Sequence, residues 1–177
     1  MKTQRPLEGD ELHKAERDIQ ATLGDHPLDF RSMQVVASIY RAAAAVRRRA
    51  ERDLLAEAGL SWGGFTILFV LWVWGPMETA RLAAECDLAK GTLTGMLTTL
   101  EKQGLVQRDR MVSDRRRVMV GLTDEGKSRS EKTGPLFNDF ERQVTDHLDD
   151  GEKDELSALL RVVITNADNT TTPEGVL

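Results

Sequence analysis

A chain of 177 residues that is 40% hydrophobic can bury a substantial core, yet it falls near the usual size of one domain. Its 24 lysines and arginines stand against 29 acids, and the resulting −5 excludes a general nucleic-acid coat, so the distribution of charge matters more than its sum. The single cysteine, Cys86, excludes an internal disulfide, and the most apolar run, Phe65 to Trp74, is about half of what a membrane span needs.

No amino-terminal stretch combines a basic start, an apolar core and a small-residue cleavage site, so a cytoplasmic protein without a membrane partner is expected. Asp10 to Leu23 sets Leu12, Ala15, Ile19 and Leu23 at helical spacing, and Gly24 and Pro27 close the segment. This short amphipathic helix has one narrow apolar stripe, which must lie on its own chain or on a partner. A second helix is expected from the N-cap Asp29 to about Ala58, where Gly59 stops it. Val35, Val36, Ile39, Tyr40, Ala43, Val46, Leu54 and Leu55 keep its helical rhythm. Arg47, Arg48, Arg49 and Arg52 crowd its second half and form either a solvated face or an anion-facing patch. Ser61 caps a third helix, Trp62 to Trp74, which is apolar nearly all round and therefore central; Gly75 and Pro76 end it.

The stretch from Thr79 to Arg117 departs from the acidic balance, with eight basic residues against five acidic ones. It is therefore +3, and the remainder of the chain carries −8. A locally positive element on an acidic body suits a protein that touches DNA with one surface only. Leu82, Ala83 and Cys86 mark the inner face of a helix from about Thr79 to Cys86, and Asp87-Leu88-Ala89 is a tight turn. In the next helix, Lys90 to Gln103, Leu93, Met96, Leu97 and Leu100 form the inward stripe. Lys90, Thr92, Thr94, Gly95 and Thr98 are left outside or at its margins. Threonine is a middling helix former, and Gly91 and Gly95 each cost about 1 kcal/mol relative to alanine in a helix interior. Such a face either lets another helix pack closely or lets this one sit deep in a major groove, where hydroxyls meet phosphates and bases and methyls meet thymine.

After Gly104, Val106 to Arg110 and Arg117 to Leu122 alternate as two strands around a polar, basic tip containing Asp114, Arg115 and Arg116. A hairpin needs no arginine for its own stability. Arg110, Arg115, Arg116 and Arg117 on a narrow projection are either merely solvated or placed to enter a minor groove. Thr123-Asp124-Glu125 opens an acid-loaded, capped helix through Leu136, Phe137, Phe140, Val144 and Leu148, with an adjustment expected near Gly134-Pro135. A last helix from about Gly151 uses Leu156, Leu159, Leu160, Val163 and Ile164, and from Asn166 the chain is polar. Asp139 to Glu155 holds eight acids and two bases, a face that repels DNA. The expected fold is mainly α with a small β-hairpin wing, a winged helix-turn-helix lobe on a helical frame.

No catalytic constellation is visible: His13, His26 and His147 are isolated from one another and from Cys86, so no zinc site, no nucleophile with its base and no cofactor are expected. Cys86 reads as a small hydrophobe. Tyr40, Phe65, Phe69, Trp72, Trp74 and Met77 gather large side chains beside the basic lobe. Arg41, or one of Arg47 to Arg49, is positioned in sequence to meet an anionic ligand there; the plainer reading of these aromatics is core.

Taken together, Leu82-Ala83, Gly91-Thr92-Leu93-Thr94, Leu100-Glu101, Gly104-Leu105-Val106 with Arg108, Asp114-Arg115-Arg116, and Leu122-Thr123 with Gly126 resemble the MarR family of bacterial transcription regulators. The resemblance covers most of the chain. It implies a homodimer with interleaved first and last helices that presents two winged lobes to a pseudo-palindromic double-stranded operator. It also implies a regulator, a repressor first, tuned by a small aromatic or anionic effector. The helix from Lys90 would enter the major groove and the Asp114 to Arg116 wing the minor groove, with Asp114 pairing an arginine. Ala89 stands where relatives often carry a capping serine, Gly95 where many carry a basic or polar reader, and Arg81 where an acid is frequent, which gives Arg81 a phosphate contact. The implied organisation is an N-terminal extension (1–28), a dimerisation helix (29–60), the winged lobe (61–122), C-terminal dimerisation helices (123–168) and a disordered tail (169–177). A winged helix that binds protein instead of DNA is the alternative.

Overall fold

The computed structural model describes residues 8–110 and 118–169, with side chains at 14, 17–109 and 118–169. Seven helices and three short strands are found among them: α1 (Glu8–Leu23), α2 (Phe30–Ala50), α3 (Trp62–Trp74), β1 (Met77–Glu78), α4 (Thr79–Glu85), α5 (Lys90–Lys102), β2 (Val106–Arg110), β3 (Val118–Leu122), α6 (Asp124–Val144) and α7 (Asp150–Asn169). No helix among the described residues is long and apolar enough to cross a membrane.

Local chemistry explains most boundaries. The Asp29 carboxylate accepts the N–H groups of Arg31 and Ser32 and the Ser32 hydroxyl, which starts α2. The helix does not run on to Ala58 in α form. It passes at Glu51–Leu55 into a π turn, in which Ala56 N–H reaches the Glu51 carbonyl and Leu60 N–H the Leu55 carbonyl. Ala50 and Leu55 are both fully buried. Five residues apart on an α-helix they would point about 140° away from each other, and the wider turn brings both to the core. The Glu51 carboxylate then accepts from Arg47 Nε and from the Trp62 N–H, tying the end of this segment to the start of α3.

Helix α3 begins at Ser61, whose hydroxyl accepts the Gly64 N–H, and ends at Gly75 in a positive-φ conformation. Phe65, Ile67, Leu68, Val70 and Leu71 are buried, because α3 packs against α4, α5, α6 and the sheet. The sheet has one strand more than the sequence pattern predicts. Met77 and Glu78 pair antiparallel with Val120 and Met119, giving the order β1-β3-β2. Two residues are too few to display a period of two. In the ribbon itself Val106 lies opposite Leu122 and Arg110 opposite Val118.

Thr123 accepts the Gly126 N–H at the start of α6. A Cβ at Gly126 would collide with the Leu105 carbonyl, so glycine is what lets α6 dock on the turn after α5. The helix continues through Pro135 without a break in its assignment. Phe137 stacks on Phe65 with ring centroids 4.3 Å apart and is flanked by Trp62 and Phe140. Arg49 lies over the Phe140 ring and donates to Gln143, fastening α2 to α6. Helix α7 runs on through the polar residues from Asn166 to end at Asn169, the first residue of the expected tail, and none of its residues is buried. Residues 170–177 of the expected tail lie outside the described residues.

Candidate nucleic-acid interface

The turn between α4 and α5 sets the geometry. Cys86 and Asp87 close α4, Asp87 adopts a positive φ, and Leu88 N–H returns to the Ala83 carbonyl. Ala89 then stands as the N-cap of α5 in extended conformation without a side-chain capping bond. Leu93, Leu97 and Leu100 anchor α5 in the core, and Met96 is half-buried. Lys90, Gly91, Thr92, Thr94, Gly95 and Thr99 are exposed, whereas Thr98 is half-buried. Thr99 was not singled out from the sequence, although its place four residues after Gly95 puts it on the same face.

The hydroxyls of Thr94, Thr98 and Thr99 are already engaged as donors. Thr94 Oγ1 donates to the Lys90 carbonyl (2.8 Å), Thr98 Oγ1 to the Thr94 carbonyl (2.9 Å) and Thr99 Oγ1 to the Gly95 carbonyl (3.3 Å). In that state they present lone pairs and methyl groups outward. They can accept from a base amino group or meet a thymine methyl, and they do not donate to a phosphate. A Cβ added at Gly91 or Gly95 meets nothing within 4 Å. Packing within the chain therefore does not require either glycine, and the close-packing reading has no support among the described residues.

The basic residues divide in a way composition could not show. Arg81 is exposed and paired with Glu85 one turn on, at 3.3 Å. Arg108 is held by Glu101, through Nε at 3.1 Å and a shorter Nη2 contact, and its Nη2 also reaches Thr98 Oγ1. Lys90 makes no ion pair among the described residues. Lys90, Thr94, Glu101 and Arg108 line a cleft of about 690 Å³ between α5, the start of α4 and the ribbon, closed by Thr79 and Val118. Arg110 ends β2, with its side chain outside the described set. Asp114, Arg115, Arg116 and Arg117 lie outside the described residues.

The residues suggested for a ligand pocket do not share one cavity. Phe65, Phe69 and Trp72 line only a close-packed crevice with Leu60, Leu68, Ser130 and Thr133, too narrow to admit a water molecule. Tyr40, 75% exposed, and Arg41 lie on the surface of α2. Arg41 also borders a cleft of about 250 Å³ between α1 and α2, opposite Arg17. Met77 is 3% exposed within β1. Cys86 is half-buried; burial, and then the neighbouring Glu85 carboxylate, push its thiol up to about 11.

A family model described as the MarR family matches residues 60–118. The uncharacterized HTH-type transcriptional regulator YwaE of Bacillus subtilis (strain 168) is 32% identical over 170 residues, 94% of this chain and 99% of its own length. A MarR mutant from E. coli solved with operator DNA has a TM-score of 0.70 at 24% identity, covering 76% of this chain and 96% of that one. NadR in complex with 4-hydroxyphenylacetate has a TM-score of 0.62 at 26% identity, covering 77% and 94% respectively.

Proposed function

The chain belongs to the MarR family of winged helix-turn-helix transcriptional regulators, and from that premise we propose that it is a homodimeric repressor that binds a pseudo-palindromic operator and is tuned by a small aromatic or anionic effector. The observation that carries DNA binding is the outward face of α5. It is exposed, thin and bare, and the open space at Gly91 and Gly95 leaves room for an external surface at the backbone. In this reading residues 61–122 form the DNA-binding lobe. Lys90, Thr92, Thr94 and Thr98 belong to the recognition helix, Arg110 and Asp114 to Arg117 act in the wing, and Arg81 gives a further phosphate contact.

Two helices supply the argument for a dimer. In α7, Leu159, Val162 and Ile164 are 57–59% exposed, and Val35, Val36 and Tyr40 on α2 are similarly uncovered. Apolar rows of this extent on helices with little of their own chain against them call for a partner, and a second copy fits residues 29–60 and 123–168 as the dimer frame. Helix α1 borders α2 across a cleft lined by Arg17, Ile19 and Gln20, and in this reading it belongs to the N-terminal extension (1–28). Support for an effector comes from NadR, a neighbour solved with 4-hydroxyphenylacetate. Tyr40, Arg41, Phe65, Phe69, Trp72 and Met77, expected from the sequence to hold it, lie apart among the described residues, so the effector's place is not assigned to them as one site.

The test is retention of DNA from the protein's own upstream region, with and without aromatic acids. Arg116→Ala is expected to weaken operator binding strongly and to leave the dimer and its melting temperature nearly unchanged. Unaltered affinity at physiological salt removes the wing assignment. Absence of any retained DNA down to low salt turns the reading toward a protein-binding winged helix.

A further inference from the structure

Arg108 is one of the eight basic residues that make the Thr79 to Arg117 segment positive, and by charge alone it would be counted toward DNA. Its geometry points elsewhere. It sits in the middle of β2, opposite Val120 of β3, while Glu101 lies in the last turn of α5. The two side chains are 27% and 37% exposed and meet through two guanidinium nitrogens on one carboxylate oxygen. The second of those nitrogens reaches Thr98, one turn back along α5. The pair therefore joins the ribbon stem to the recognition helix, and both residues form part of the cleft wall that also contains Lys90 and Thr94.

We propose that Glu101 and Arg108 are positioning residues for DNA recognition: their pair sets the angle between α5 and the β2–β3 stem, and Arg108 contacts no phosphate. This inference rests on the DNA-binding reading above. The α5 helix and the ribbon must reach two grooves at once, and recognition needs their relative placement held to within about half an ångström. Side-chain packing at the inner leucines holds α5 to the core, and β1 holds β3 from its other edge. The Glu101–Arg108 pair crosses directly from one DNA-facing element to the other. A guanidinium fits this task because its planar fork fixes direction as well as distance, which a lysine ammonium does not.

The experiment compares the intact protein with Arg108→Ala, Arg108→Lys, Glu101→Gln and the exchanged pair Glu101→Arg with Arg108→Glu. Operator affinity is measured across a salt series. Spin labels at Thr99→Cys and Asp109→Cys, in a Cys86→Ser background, report the separation of helix and stem. Arg108→Ala is expected to lower operator affinity by about tenfold with the slope of log affinity against log salt unchanged, and to broaden the label distance. Arg108→Lys should restore charge without restoring affinity, and the exchanged pair should recover most of both readouts. A slope shallower by about one would make Arg108 a phosphate contact and overturn the proposal. Unchanged affinity or an unchanged distance distribution overturns it as well. Should Arg108→Ala not fold, Glu101→Gln decides by the same criteria with a smaller loss. If the intact protein retains no DNA, the DNA-binding reading fails, whereas retention by the intact protein with indifferent variants is a failure of the strut alone.

Discussion

At the scale of single residues, Gly95 carries the clearest conflict between stability and binding. An alanine there meets no neighbour and removes a poor helix former, so Gly95→Ala should stabilise the free protein by about 1 kcal/mol, a rise of roughly 2–4 °C in Tm. The same methyl stands on the face proposed to meet DNA, and on that proposal operator affinity should fall. Calorimetry and operator titration on one preparation check the opposite signs, and a variant that binds as well as the parent removes Gly95 from the interface. Lys90→Ala should lower affinity and flatten the salt slope by about one, as expected of a phosphate-neutralising charge and unlike the Arg108 variants. Cys86 is expected to be inert. With its thiol at about 11 it is almost wholly protonated near neutrality, so alkylation of the folded protein should be far slower than of the denatured chain; equal rates would contradict the burial that raises it.

At the scale of elements, α3 is attached to α6 by an aromatic cluster and α5 to the ribbon by an ion pair. Phe137 touches Phe65, Trp62 and Phe140, so Phe137→Ala should cost about 3–5 kcal/mol, measured by denaturant unfolding. A loss below 1 kcal/mol would mean that this contact does not hold α6 to α3. The Arg108 guanidinium, mainly through its hydrogen bonds, holds the Glu101 carboxyl below its ordinary 4.5. A depressed folded-state value gives stability that is complete above 4.5 and is lost as the pH falls through the lower folded-state value. Melting curves of the parent and Glu101→Gln should thus differ at neutral pH and converge in acid, and a constant gap would assign the difference to another cause. The elements also show what a linear pattern conveys. Ser61 and Thr123 were legible as caps because an N-cap acts within three residues, and the start of α3 and the inward leucines of α5 follow from the helical period. Strand β1 was not legible because it exists only as a partner of β3. The π turn escaped because its cause is the simultaneous burial of Ala50 and Leu55 by other segments.

At the scale of the whole molecule, the exposed rows on α2 and α7 predict an assembly. Sedimentation should give twice the chain mass, the melting midpoint should rise with protein concentration, and Leu159→Asp combined with Ile164→Asp should yield a monomer of weakened operator affinity. A parent that sediments as a monomer at all concentrations removes the dimer and with it the palindromic operator.

The sequence by itself determined the winged helix-turn-helix order, the inward face of α5 and the positive segment on an acidic body, because periodicity, capping and charge counting are properties of neighbours along the chain. Which charges remain available to DNA was decided only by the tertiary structure. Arg108 and Glu101 lie on different elements, separated by the turn after α5, and the fold brings them together; no local pattern states that the ribbon will return to the last turn of the helix. The glycines of α5 are the complementary case, visible in the sequence as residues that weaken a helix, but known to face open space among the described residues only once those had been placed.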